Sequence, residues 1–256
     1  MLNSNMLQEN NIDNKNIVVE VNNIQKSFGK NEILTGVHFK VEAGKNLVLL
    51  GKSGSGKSVI IKCIVGLVAA DSGSIQVLGQ EVISQNEKKL NELRMQIGFL
   101  FQSGALYDSM TVKENLSFAL RRNNKTLTEK KIDEDINEVL TAVGLLHAIN
   151  KMPSELSGGM RKRIALARTV ISKPKIMLYD EPTTGLDNIT SREISELMVA
   201  IQKKYKTTSI IITHDMACAK LTADTIAILK DGKIHAQGTY DALANSEDEW
   251  VKSFFI

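Results

Sequence analysis

Residues 51–58 read Gly51-Lys52-Ser53-Gly54-Ser55-Gly56-Lys57-Ser58, which satisfies the pattern G-x-x-x-x-G-K-[ST]. Glycines at this density let the backbone curl with its N–H groups facing inward. A helix that follows at once adds its positive end, so the segment is suited to cradling phosphate. Lys57 is expected to reach terminal phosphates and Ser58 to offer its hydroxyl to Mg²⁺. The apolar run Asn46 to Leu50 before the glycines and the helical stretch Lys57 to Leu67 after them supply the strand-loop-helix setting that separates this motif from a chance Gly-rich turn.

Two further segments carry chemistry only beside such a loop. Ile176-Met177-Leu178-Tyr179 leads into Asp180 and then Glu181. A carboxylate at a strand's carboxyl end suits the oxygen shell of Mg²⁺, and its neighbour is placed to polarise an attacking water. Alone, an Asp-Glu pair at a strand end is an ordinary solvated loop start. Leu156-Ser157-Gly158-Gly159-Met160 precedes a helix containing Arg161, Lys162, Arg163 and Arg168, and Ser157 with two glycines makes a second helix N-terminus with accessible N–H groups.

The elements that must position these residues are legible from periodicity. Strands are expected at Ile17 to Val21, Ile33 to Val41, Asn46 to Leu50, Ser74 to Leu78 and Ile97 to Phe101. From Ala105 to Met152 the pattern turns helical, with Ile132, Ile136, Val139, Leu140 and Val143 at three-to-four spacing. Strand and helix then alternate: helix Ser157 to Ser172, strand Lys175 to Tyr179, helix Ser191 to Lys203, strand Ser209 to Thr213, helix near Ala217 and strand Ile226 to Leu229. This alternation predicts a parallel sheet with helices on both faces. Asp231-Gly232 marks a hairpin, and a short helical tail is expected from Trp250 to Ile256.

Composition narrows the class of protein. With 43% hydrophobic and 24% charged residues, 17 Gly and 3 Pro in 256 residues, fibrous and wholly disordered readings are excluded. The net charge of +3 gives no field for nucleic acid, and no nucleic-acid partner is expected. Cys63 and Cys218 lie inside apolar stretches without metal-ligand spacing, which points to buried thiols in a reducing compartment. No apolar run reaches the ~18 residues of a membrane span. The Asn-rich residues 1–15 read as a disordered lead-in without signal-peptide order.

The phosphate loop, Leu156-Ser157-Gly158-Gly159 and Asp180-Glu181, in this order, resemble an ATP-binding-cassette (ABC) ATPase over roughly residues 17–240. The resemblance implies an α/β fold: a P-loop NTPase core (16–103 and 154–240), with an antiparallel β subdomain, an inserted α-helical subdomain (104–153) and a short C-terminal helical tail (241–256). It implies ATP and Mg²⁺ as cofactors, with Glu181 as base. Residue by residue, Phe28 matches the aromatic that stacks on adenine, where Tyr is usual. Gln102 matches the Q-loop glutamine that senses Mg²⁺ or water. Asp187, in Gly185-Leu186-Asp187, matches the D-loop, and His214 matches the switch histidine at the γ-phosphate. Family geometry further implies a homodimer in which Ser157, Gly158 and Gly159 of one copy close over ATP held by the other, giving two composite sites.

Subfamily rests on the stretches between these motifs. Phe99 to Val112, Met152 to Met160, and Asp180-Glu181-Pro182-Thr183-Thr184-Gly185-Leu186-Asp187 resemble the Mla/MCE phospholipid-transport ATPases, and Met160 in place of the common Gln agrees. That likeness implies an ATPase on the cytoplasmic face of the inner membrane, an integral-membrane permease docking near Gln102 to Tyr107, and an MCE-domain lipid-binding protein in the complex. Ala105, Leu106 and Tyr107 serve equally as a docking face or as packing inside the insertion. Some relatives continue past the point where this sequence stops, so a dimer contact through such an extension is not expected. The competing readings are an amino-acid-type importer ATPase and a non-transport ABC ATPase that regulates an envelope partner. A GTPase would need Asn-Lys-x-Asp after a strand, and none occurs.

Overall fold

A computed structural model of the chain describes residues 16–102, 104–124 and 126–255; the lead-in at residues 1–15 lies outside them. Two sheets form. The first is antiparallel, in the order β2-β1-β4-β5, from β1 (Ile17–Phe28), β2 (Asn31–Glu42), β4 (Ser72–Val77) and β5 (Gln80–Glu81). The second has the order β10-β9-β3-β8-β7-β6, from β3 (Asn46–Gly51), β6 (Ile97–Leu100), β7 (Ile176–Asp180), β8 (Thr208–Ile212), β9 (Thr225–Lys230) and β10 (Lys233–Gly238). Its strands run parallel apart from β10, which returns beside β9 through Asp231-Gly232.

Side-chain alternation on the second sheet builds two cores, because successive residues of a strand face opposite sides. Val48, Leu50, Met177, Tyr179, Ile226 and Ile228 join one hydrophobic cluster. Their neighbours Leu47, Leu49, Ile176, Leu178, Ala227 and Leu229 join the other. The first cluster is completed by helices α3 (Val112–Asn123), α4 (Glu129–Ala142), α5 (Gly158–Val170), α6 (Asn188–Tyr205) and α7 (Met216–Thr222). The second is completed by α1 (Lys57–Ile64), α2 (Glu87–Arg94) and the antiparallel sheet. Helices therefore lie on both faces, and on one face they share the cover with β1, β2 and β4.

Several bounds differ from expectation for identifiable reasons. β1 continues to Phe28 past a register shift between Val21 and Ile24, where Asn23 has φ 50° and the alternation breaks. Helix α1 stops at Ile64 because Gly66, at φ 66°, turns the chain away. Helix α2 has only Leu90 and Leu93 buried, too few for a visible stripe, and its sequence signal is the Asn86 cap on Lys89 N–H. The tail forms two short helices, α8 (Tyr240–Ala244) and α9 (Glu249–Lys252), in place of one from Trp250. Helices α3 and α4 fall within 104–153, yet their apolar residues pack into the same cluster as α5 and β7. Among the described residues no helix is long and apolar enough to cross a membrane. Cys63 and Cys218 are buried free thiols, and burial pushes both up to about 11.

Candidate active site

The carboxyl ends of β3, β7 and β8 meet the N-terminus of α1 in a cleft of about 640 Å³. β3 is buried along its whole length, so the chain leaving it must turn at once to reach solvent. Gly56 caps α1 at φ 104°, and a Cβ there would lie 2.8 Å from Leu34 Cδ2; only glycine fits. Lys57 folds back inside this loop and donates to the Gly51 carbonyl at 2.7 Å and the Lys52 carbonyl at 3.0 Å. Burial lowers its pKa below the ordinary lysine range, while the charges of Glu181 and Asp180 oppose the shift. An ammonium satisfied only by carbonyls is poised to exchange them for anionic oxygens.

Ser58 donates to Asp180 Oδ1 at 3.3 Å, so a hydroxyl and a carboxylate converge from α1 and β7. Burial raises the Asp180 pKa; the Ser58 hydrogen bond and nearby Lys62 and Lys57 resist, and the Glu181 charge adds to the rise. Hard oxygen donors of this kind fit Mg²⁺, which keeps several waters and phosphate ligands of its own. Among the described residues no cluster of three or more His, Cys, Asp or Glu forms a dedicated metal cage.

Glu181 has φ 51°, a left-handed conformation uncommon for a residue with a side chain. That backbone turns its carboxylate toward β8's end, where His214 Nδ1 lies 2.8 Å from Oε2. Thr184 donates to the same oxygen at 3.2 Å. Glu181 is 17% exposed and His214 70%, so the carboxylate sits inside the cleft and the imidazole at its rim.

Phe28, Gln102, Asp180, Glu181 and His214 line this cleft together with Gly51 and Ser53 to Ser58. Lys52 instead lines a smaller hollow of about 280 Å³ that includes Trp250. Ser157, Gly158, Gly159 and Asp187 are not brought to the cleft. Ser157 caps α5 by accepting the Met160 N–H, and Gly159 lies so close to α6 that a Cβ would stand 2.8 Å from Thr190 Cγ2. Asp187 caps α6, accepting the Thr190 N–H at 2.9 Å and its hydroxyl at 2.7 Å; these bonds hold its carboxyl below the usual range.

Other participants escaped the sequence reading. Asp71 accepts Lys26 Nζ and the Ser27 N–H, each at 2.6 Å, and so fixes the strand end that presents the exposed Phe28. Nothing local in the sequence signals that pairing. Asp215 accepts the Thr183 hydroxyl at 3.0 Å and caps α7; the cap preference for Asp before Met216 was the available cue. The segment after Gln102 divides. Leu106 packs partly into the core, whereas Tyr107 meets Phe118 edge-on and lies beneath Arg168. Tyr107 faces a separate groove of about 450 Å³ between β6, α2, α3 and α5, lined also by Met95, Phe99, Arg122 and Arg168.

The family model described as "ABC transporter" matches residues 34–184. The chain is 38% identical over 269 residues to the protein trigalactosyldiacylglycerol 3, chloroplastic, of Arabidopsis thaliana, covering 97% of this chain and 76% of that one. It is 38% identical over 238 residues to a probable ribonucleotide transport ATP-binding protein, mkl, of Mycobacterium tuberculosis, covering 93% of this chain and 66% of that protein's length. The methionine import ATP-binding protein MetN of Campylobacter jejuni is 34% identical over 252 residues, with 93% and 75% covered. Among solved structures, a dimeric ATP-binding cassette in a post-hydrolysis state, bound to ADP and Pi, matches with a TM-score of 0.78 at 28% identity, covering 86% of this chain and 98% of that one. The cbiO1 protein of Clostridium perfringens, part of the cbiONQ ABC transporter complex, matches with a TM-score of 0.81 at 30% identity over 88% of this chain and 89% of its own.

Proposed function

Because the chain belongs to the ABC transporter family, as a subunit that binds and hydrolyses ATP, we propose that its hydrolysis drives lipid movement across a cell envelope through a separate membrane permease. The observation that carries the cargo is the 38% identity, across 97% of this chain, to a relative named for a glycerolipid. The stretches around Gln102, Met160 and Asp180 that resemble lipid-transport ATPases point the same way.

The division of labour follows from the cleft. Phe28 offers its ring to the adenine, and the inward N–H groups of residues 51–58 receive the phosphates. Lys57 gives up the Gly51 and Lys52 carbonyls for phosphate oxygens, which relieves its burial cost. Ser58 and Asp180, with the Gln102 side chain, would hold Mg²⁺. That ion, when bound, would supply charge neutralisation to the phosphates. Glu181 orients the attacking water and takes its proton. His214 holds the Glu181 carboxylate through Nδ1 and keeps Nε2 for the γ-phosphate. Two copies associate so that Ser157, Gly158 and Gly159 of one complete the site of the other, with Asp187 at the seam.

Tyr107 marks the permease side. The groove beside it has apolar walls from Met95, Phe99 and Phe118 with Arg122 and Arg168 at its edge, which suits an apolar permease segment carrying a carboxylate. We assign the complex to the cytoplasmic face of the inner membrane, with an MCE-domain lipid-binding protein as its further component. The test is ATP-dependent transfer of a labelled phospholipid by the permease complex reconstituted in vesicles. Transfer that requires Glu181 supports the lipid reading. If instead a solute-binding protein loaded with methionine stimulates ATP hydrolysis and lipid does not move, the importer reading, favoured by the 34% identity to MetN, takes its place. Hydrolysis with neither outcome favours the regulatory reading.

A further inference from the structure

Lys162 is 6% exposed and lies just inside α5, one turn beyond Ser157-Gly158-Gly159. Among the described residues its ammonium has a single hydrogen-bond acceptor, the main-chain carbonyl of Gln102 at 2.7 Å, and no carboxylate within ion-pairing distance. Burial lowers its pKa from the ordinary lysine value. Its place near the positive end of α5 adds a further unfavourable field. A buried cation without a counter-charge costs stability that an apolar side chain of the same length would not. Its presence therefore calls for a reason outside stability.

What it grips is specific. Gln102 follows the end of β6, and the next described residues, Gly104 and Ala105, both have positive φ, so the backbone here belongs to no regular element. A Gly104 N–H to Phe101 carbonyl bond holds the turn locally. Among the described residues, Lys162 is the side chain that ties the Gln102 main chain to another part of the fold. The same lysine is joined, through one turn of helix, to Ser157 and Gly158, which are exposed at the start of α5.

We propose that Lys162 is a positioning residue that locks the loop carrying Gln102 to the signature helix of the same chain, so that movement of Gln102 at one nucleotide is passed to the turn that completes the other. The inference rests on the roles proposed above for Gln102 and for Ser157 to Gly159. It concerns the joint between them, which neither motif contains.

The test compares the full chain with Lys162→Met, which keeps the stem and removes the donor, and with Lys162→Arg, which keeps a donor. Loss of one charge-assisted bond predicts that Lys162→Met lowers kcat about tenfold. KM for ATP stays within about twofold, because the phosphate loop and Phe28 are untouched, and Tm is unchanged or raised because the desolvation cost is gone. Lys162→Arg recovers kcat to within about threefold of wild type, since the hydrogen bond is retained. Wild-type kcat in Lys162→Met overturns the proposal. So does a loss of kcat accompanied by a lower Tm that Lys162→Arg does not recover, which would mark a purely structural lysine. Glu181→Gln, run in parallel, separates the two levels. If that variant turns over normally, the reading of the whole site fails. If it is inactive while Lys162→Met is normal, only the joint fails.

Discussion

The chain builds two glycine-bearing helix N-termini, and they end up in opposite circumstances. At α1 the turn is surrounded by its own chain: Lys57 is folded inward, Ser58 meets Asp180, and Glu181 and His214 close the far side. At α5 the turn is capped by Ser157, but Ser157 and Gly158 face solvent, and the cleft lies elsewhere. Local chemistry is nearly the same in both, because each offers free N–H groups at the positive end of a helix. The difference lies in what the sheet brings alongside. Strand ends deliver acids and a histidine to α1, and they deliver none to α5. The α1 turn therefore has its acids and histidine within the chain, while the α5 turn lacks them and is the one we propose a second copy completes.

The largest test of that contrast is Glu181→Gln, which keeps the shape of the α1 site and removes the base proposed there. A loss of about a thousandfold in kcat is expected, with ATP binding retained and an ATP-held dimer accumulating in size-exclusion chromatography. Gly158→Ala probes the other turn. A Cβ at Gly158 would meet only Leu186 Cδ2 at 3.9 Å, an ordinary contact, so the fold and single-chain ATP binding are expected to survive. With the α5 turn completing the partner's site as proposed, hydrolysis should fall about tenfold to a hundredfold, because the methyl group would stand in the way of the partner's phosphates. Mixing this variant with inactive Lys57→Ala should restore activity, since the mixed dimer contains one site with both halves intact. No recovery on mixing would break the comparison.

The smallest effect concerns stability. The Asp180 carboxyl is raised in the fold chiefly by burial, so the folded state holds its proton more tightly than the unfolded chain does. The ionised form is therefore a penalty, absent at low pH and fully present once pH exceeds the folded pKa. Asp180→Asn should raise Tm of the nucleotide-free protein at neutral pH, and the gain should vanish as pH falls below the ordinary carboxylate range. A Tm difference independent of pH would mean that burial of this carboxylate is not what strains the empty site.

These residues differ in how visible they were beforehand. Gly51 to Ser58, Asp180 and Glu181 announce themselves because their function depends on neighbours along the chain: a loop must follow a strand, and an acid must end one. The parallel sheet was legible for the same reason, since strands buried on both faces read as continuous apolar runs. Asp71 on Lys26 and Ser27, Lys162 on Gln102 and Arg168 over Tyr107 were invisible because each joins residues far apart in sequence, and a lone charged residue at any of these positions reads as surface. Helix α2 was missed because only Leu90 and Leu93 are buried, and what holds it in place, Leu90 beside Gly66 and Arg94 donating to the Val65 and Gly66 carbonyls, joins residues far apart in sequence.

The backbone at Glu181 carries a consequence for anyone improving this protein. A left-handed conformation costs a residue with a side chain of order 1 kcal/mol, and glycine nothing. A library sorted only for heat resistance would therefore favour glycine at position 181 and, with Glu181 in the role proposed for it, enrich cassettes that bind ATP but no longer turn it over. At this position durability and turnover compete for the same dihedral angle, so selection must read the reaction as well as the melt.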